Sequence, residues 1–164
     1  RRACELGDDA AALRAAARED MSLASLFGGL ALANAGLGAV HGFAAVIGGM
    51  FAAPHGAICA ALLPQVMSIN VQALRARMPD SKALRRYTEV ARILTGDDQA
   101  TTDDGVRWVS DLCSALKIPP LKSYGISAQD FVVLIEKSAM ASSMQANPLK
   151  LTPDELHEIL DRSL

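Results

Sequence analysis

His41 and His55 are the two side chains whose type and placement could do chemistry in this chain of 164 residues. They lie in the stretch AVHGFAAVIGGMFAAPHG, within a run from Met21 to Leu74 that contains no Asp, Glu, Lys or Arg. An imidazole among small apolar side chains needs a partner, because an unpaired buried polar group costs on the order of a few kcal/mol. A main-chain carbonyl, a water or a metal ion would serve. Fourteen positions separate the two histidines, which on one straight helix is about 21 Å of axial rise and rules out a shared ion. The Gly48-Gly49 pair and Pro54 interrupt a straight helix, and two consecutive helices turning at GGMFAAP would aim both rings at one point. Imidazole suits Zn, Fe, Ni or Cu better than Mg or Ca. As a bare pair, the histidines fit hydrogen-bonded core residues better than metal ligands, because ligand spacings need several ligands to become diagnostic.

The elements that must position them are helical. Alanine is abundant, aromatic residues make up 4%, and few β-branched runs alternate with polar residues, so the pattern predicts an all-α domain of about seven helices in one bundle-like unit over 1–164. Asp8 or Asp9 can cap a first helix that begins charged and ends apolar near Asn34 and Gly36, from the surface to the interior. A short helix carries Val40, His41, Phe43 and Ala44 up to Gly48-Gly49, and a further one starts at Pro54 and is bent or divided at Pro64. Beyond it lie a stripe of Leu84, Tyr87, Val90, Ala91 and Leu94 closed by Gly96, and a stripe from Val106 to Leu116 stopped by Pro119-Pro120. Ser127 with Asp130, and Thr152-Pro153 with Glu155, read as helix starts. The six methionines read as gap-filling core, and Arg75, Arg77, Arg85, Arg86 and His157 as solvated helix faces.

A net charge of −2 carries no electrostatic footprint for nucleic acid. Cys4, Cys59 and Cys113 are odd in number and widely spaced, which fits reduced packing residues of a cytoplasmic protein. The uncharged run is broken by Asn34, His41, Pro54, His55, Pro64 and Gln65, so it reads as buried helix and no membrane span is expected.

From Asn34 to Asn70, NAGLGAVHGFAAVIGGMFAAPHGAICAALLPQVMSIN closely resembles the metal-binding signature of the iron-containing (group III) alcohol dehydrogenases, in which NAxLGxxHG is followed by a Gly-Gly turn, PHG and LLPxVMxxN. The likeness continues more loosely to SSMQANPLKLTPDELHEIL at the C-terminus. The resemblance implies the helical C-terminal domain of the dehydroquinate-synthase-like fold. It also implies that His41 and His55 are two of four protein ligands of a divalent metal, Fe2+ ahead of Zn2+. That ion polarises an alcohol or carbonyl oxygen while hydride passes to or from NAD(P), held by an N-terminal domain. The other two ligands in the family, an Asp and a His one turn apart, come from upstream, and Asp8, Asp9 and Asp20 have no histidine four residues on. The chain therefore reads as the C-terminal part of a longer enzyme, expected to bind metal weakly and to be inactive alone. Its substrate would be a small alcohol or aldehyde, and a homodimer stays open.

One departure stands out: many members carry a further histidine, credited with proton relay, one turn after the first ligand, where this chain has Ala45 followed by Val46 in place of the usual proline. Two other readings stay in view, a non-catalytic helical interaction domain with structural histidines and a metal-independent reductase of the same fold.

Overall fold

The computed structural model describes residues 11–164, so the expected Asp8 or Asp9 cap and Cys4 lie outside the described residues. Among the described residues there are seven α-helices, three short 3-10 segments and no strand. The helices are α1 (Ala11–Ala35), α2 (Ala39–Met50), α3 (His55–Arg77), α4 (Lys82–Thr95), α5 (Thr102–Ala115), α6 (Phe131–Met140) and α7 (Pro153–Ser163). The chain divides into two compact units, one up to Gly36 and one from Leu37 to Leu164.

In the first unit, α1 was expected to run from surface to interior, and it does not. Leu23, Leu26, Phe27, Leu30 and Leu32 along its apolar turns are all exposed. An uncharged sequence shows that a helix can be covered on every side, but it does not supply the covering neighbour.

The second unit is organised around α3, which packs against α2, α4, α5 and α7. Phe43 and Ile47 of α2, Ile58, Leu62, Ile69 and Leu74 of α3, Phe131 and Leu134 of α6, and Ile159 and Leu160 of α7 meet in one core. Each such side chain, fully buried, contributes about 1.5–3 kcal/mol. By length and composition α3 could cross a membrane, and 56% of its most apolar window is buried within the fold. Its apolarity is therefore used in packing.

Pro64 does not divide α3, which runs on through it to Arg77. Proline has no N–H, so the carbonyl four residues earlier loses its helical donor. That carbonyl belongs to Ala60, and the Cys113 thiol of α5 donates to it at 3.5 Å. The neighbouring helix replaces the missing bond with a weak one. Gly48 and Gly49 likewise do not break α2, which continues through both to Met50. α5 ends before Pro119-Pro120 by its own closure: Lys117 sits at φ 53°, and the amides of Lys117 and Ile118 return to the carbonyls of Ser114 and Cys113.

The helix starts agree with expectation. Thr101 with Asp104, Ser127 with Asp130 and Thr152 with Glu155 each form reciprocal capping boxes, and Gly96 closes α4 at φ 72°. Arg75 and Arg77 are more than solvated faces. Arg75 donates to Thr102 and Asp103 of α5, and Arg77 grips both carboxylate oxygens of Glu155 on α7 at 2.8 and 2.9 Å. Exposed His157 packs edge-on against Phe131 with ring centroids 5.1 Å apart. Of the methionines, Met67 is buried, whereas Met21, Met50, Met78 and Met140 are exposed, because length and flexibility alone do not place them inside.

α4 and α5 touch most closely at Gly105, where an added Cβ would lie 2.7 Å from the Ala91 Cβ and 3.0 Å from its Cα. Gly105→Ala must push the helices apart and is expected to lower stability by about 1–3 kcal/mol in urea unfolding. Gly49→Ala, whose Cβ would meet nothing within 4 Å, should be neutral or stabilising by up to about 1 kcal/mol. Equal loss at both positions would contradict the close approach.

Candidate metal centre

The site is made by the turn between α2 and α3. After Met50 the chain extends at Phe51, the Ala53 amide bonds the Phe51 carbonyl, and Pro54 holds φ −62° and ψ 129° as the residue before α3. Pro54 thus lies just outside the helix, and His55 is its first residue. His41 projects from the first turn of α2.

A polar clamp sets α2 against α3. Gly38 precedes α2 without a side chain to cap it, and the Ala39 amide donates instead to Asn147 Oδ1 at 3.1 Å, from 108 residues away. This satisfies one of the amide groups that a helix start leaves unpaired. The same Oδ1 accepts from Asn70 Nδ2 of α3 at 3.1 Å, while Asn147 Nδ2 donates to Asn70 Oδ1 at 2.8 Å and to the Leu149 carbonyl at 2.9 Å. Asn147 therefore uses its full capacity of two donors and two acceptor sites. Asn70 also donates to the Tyr87 hydroxyl of α4 at 3.2 Å. Burial pushes the Tyr87 phenol up, and the bond from Asn70 partly opposes that shift.

Small residues allow this approach. A Cβ on Gly38 would stand 3.1 Å from Asn147 Oδ1, and one on Gly42, a turn later, 3.2 Å from the Cβ of Met144. In the sequence Asn147 fits equally the lining of a substrate pocket and helix termination before Pro148. Its role as a cap for a distant helix has no local signature.

The two histidines converge. Their ring centroids are 5.5 Å apart, with the planes tilted by 51°. They are not buried among apolar side chains as their surroundings suggested: His41 is half-buried and His55 is exposed. Gly49 and Gly56, flanking the turn, have open space where a Cβ would be. Neither ring hydrogen-bonds a main-chain carbonyl among the described residues. Cys59, one turn after His55 on α3, brings its Sγ to 3.5 Å from His55 Nε2. One ligand atom from each of His41, His55 and Cys59 lies within 4.8 Å of the others. Sequence reasoning placed Cys59 in packing, although the spacing HGAIC puts it on the face of His55. Two imidazoles and a thiol form a donor set for a divalent transition ion and a poor one for Mg2+ or Ca2+.

Residues 3–164 match the Fe-containing alcohol dehydrogenase family, C-terminal. The chain belongs to that family. Alcohol dehydrogenase 4 of Saccharomyces cerevisiae is 32% identical over 148 residues, covering 90% of this chain and 37% of the relative. The NADPH-dependent butanol dehydrogenase of Clostridium saccharobutylicum is 32% identical over 153 residues, covering 88% and 37%. Among solved structures, 1,3-propanediol oxidoreductase superposes with a TM-score of 0.79 at 28% identity over 90% of this chain and 38% of that one. An alcohol dehydrogenase from Oenococcus oeni gives 0.70 at 31% identity, covering 83% and 35%. The chain thus spans a little over a third of the length of its relatives. The all-helical architecture agrees with the C-terminal domain expected of this iron-containing family.

Electrostatics favour a neutral His41 ring. The pKa of His41 is lowered from the ordinary 6.5, first by desolvation and then by the facing charge of His55. The folded protein then binds fewer protons than the unfolded chain between the lowered value and 6.5. The resulting stability is complete above 6.5 and is lost as pH falls through the lowered value. Proton NMR of the metal-free protein should show His41 titrating below 6.5, and His55→Ala should raise that midpoint. A His41 midpoint indifferent to His55 would contradict the facing geometry.

Proposed function

We propose that these residues form the metal-holding helical part of an alcohol dehydrogenase. The full-length protein would pass hydride between a small alcohol or aldehyde and NAD(P). The observation that carries this reading is the convergence of His41 and His55 from two helices onto one point. The family supports it, as does the name of the butanol-dehydrogenase relative, which is NADPH-dependent.

His41 and His55 would hold a divalent ion, Fe2+ or Zn2+, which when bound supplies Lewis acidity at the substrate oxygen. The chain's own residues do the positioning. Asn147 and Asn70 fix the α2–α3 angle, and the exposure of His55 leaves its ring approachable. Exposed Ala45, one turn after His41, offers no proton-transferring group and leaves room for a substrate larger than a short primary alcohol. No nucleotide-binding strand lies among the described residues, so residues 1–164 alone should show no turnover. The free thiols of Cys59 and Cys113 suit a cytoplasmic setting.

A structural role for the histidines is the competing reading, and it is disfavoured by rings that face one another and bond no main-chain carbonyl. The test is metal analysis of the full-length protein together with NAD(P)-linked oxidation of alcohols and reduction of aldehydes. Stoichiometric Fe or Zn and nicotinamide-linked turnover are expected. His41→Ala and His55→Ala should each lose metal and at least about a hundredfold in activity, beyond the 10–100-fold typical of outer-shell changes. A metal-free active enzyme would overturn the metal assignment, and a metal-loaded protein without nicotinamide-linked turnover would overturn the reaction.

A further inference from the structure

The turn that brings the histidines together also brings a third donor, and from this juxtaposition we infer that Cys59 ligates the same ion as His41 and His55 through its thiolate. The inference rests on the metal reading above and extends it. His55 and Cys59 are four residues apart on α3, so both side chains leave the same face one turn apart. Sγ already contacts the His55 ring at 3.5 Å, and the three donor atoms fit within a 4.8 Å span. A tetrahedral zinc site, with bonds of about 2.0–2.1 Å to nitrogen and about 2.3 Å to sulfur, sets its donors about 3.3–3.8 Å apart. The three donors, within 4.8 Å of one another, lie close to that spacing.

The other thiol in the second unit makes the contrast. Cys113 is committed to the Ala60 carbonyl that Pro64 leaves without a helical donor, whereas Cys59 is turned toward an imidazole. His41 and Cys59 are half-buried and His55 is exposed, so an ion can enter from the His55 side without unpacking the core. On coordination the thiol releases its proton to solvent and the sulfur lone pair forms the bond to the metal. No electron is transferred. A thiolate makes the donor set softer than two imidazoles with oxygen ligands, which favours Zn2+ and Co2+ over Mn2+ and Fe2+.

Cobalt(II) substitution of the full-length protein tests this by absorption spectroscopy. The wild type should take up one Co2+ at this site and show a near-ultraviolet thiolate-to-cobalt charge-transfer band beside the visible ligand-field bands. Cys59→Ser should lose the near-ultraviolet band while keeping Co2+ uptake and visible absorption, and Cys113→Ser should keep both. His55→Ala should lose uptake. Cobalt bound in the wild type without the charge-transfer band, or a band that persists in Cys59→Ser, overturns the thiolate ligand and leaves the histidine site standing. Failure of the wild type to take up Co2+ overturns the histidine site and the thiolate together.

Discussion

The structure depends on one carboxamide. Asn147 sits in the segment between α6 and α7, yet it caps α2 through the Ala39 amide and pairs reciprocally with Asn70 in the middle of α3. Core packing alone would hold α2 near α3, because apolar contacts are non-directional. The Asn pair adds direction. Every polar atom of Asn147 is used, and a half-buried network with no spare donor has one arrangement rather than several. The turn at Phe51–Pro54 then has a single angle to span, and His41 and His55 face each other across it.

That geometry bears on the charge of His41. Desolvation lowers its pKa first, and the charge of His55, whose ring centroid is 5.5 Å away, adds to the shift. Neutral rings are the form that binds a cation. The small residues around the turn serve two separate purposes. Gly38 and Gly42 let α2 lie against Asn147 and Met144, while Gly49 and Gly56 have open space where a Cβ would be. Filling the first pair would move the helix; filling the second would displace nothing.

What could be read from the sequence is what local chemistry decides. Thr152-Pro153-Asp154-Glu155 and Ser127 with Asp130 announce helix starts because the bonds they make span three residues. Gly96 announces an end because its φ of 72° suits glycine. The histidine pair could be proposed once the motif around it was matched to a family. Pro64 and Gly48-Gly49 misled for the opposite reason. Pro64 is tolerated because a thiol 53 positions away bonds Ala60, and no local pattern shows that. Asn70 and Asn147 carry no local sign of one another, and only the fold brings them together across 77 positions. The exposure of α1 belongs with these cases, since composition gives a helix's preference and not its neighbours.

The central claim is that the Asn147 clamp aims the two histidines at one ion. Calorimetric titration of Zn2+ into full-length Asn147→Ala, at a temperature where its circular dichroism matches the wild type, tests that most directly. Because the clamp orients ligands without touching the ion, its loss should weaken Kd by about 10–100-fold. A folded variant that binds Zn2+ as tightly as the wild type would contradict the claim.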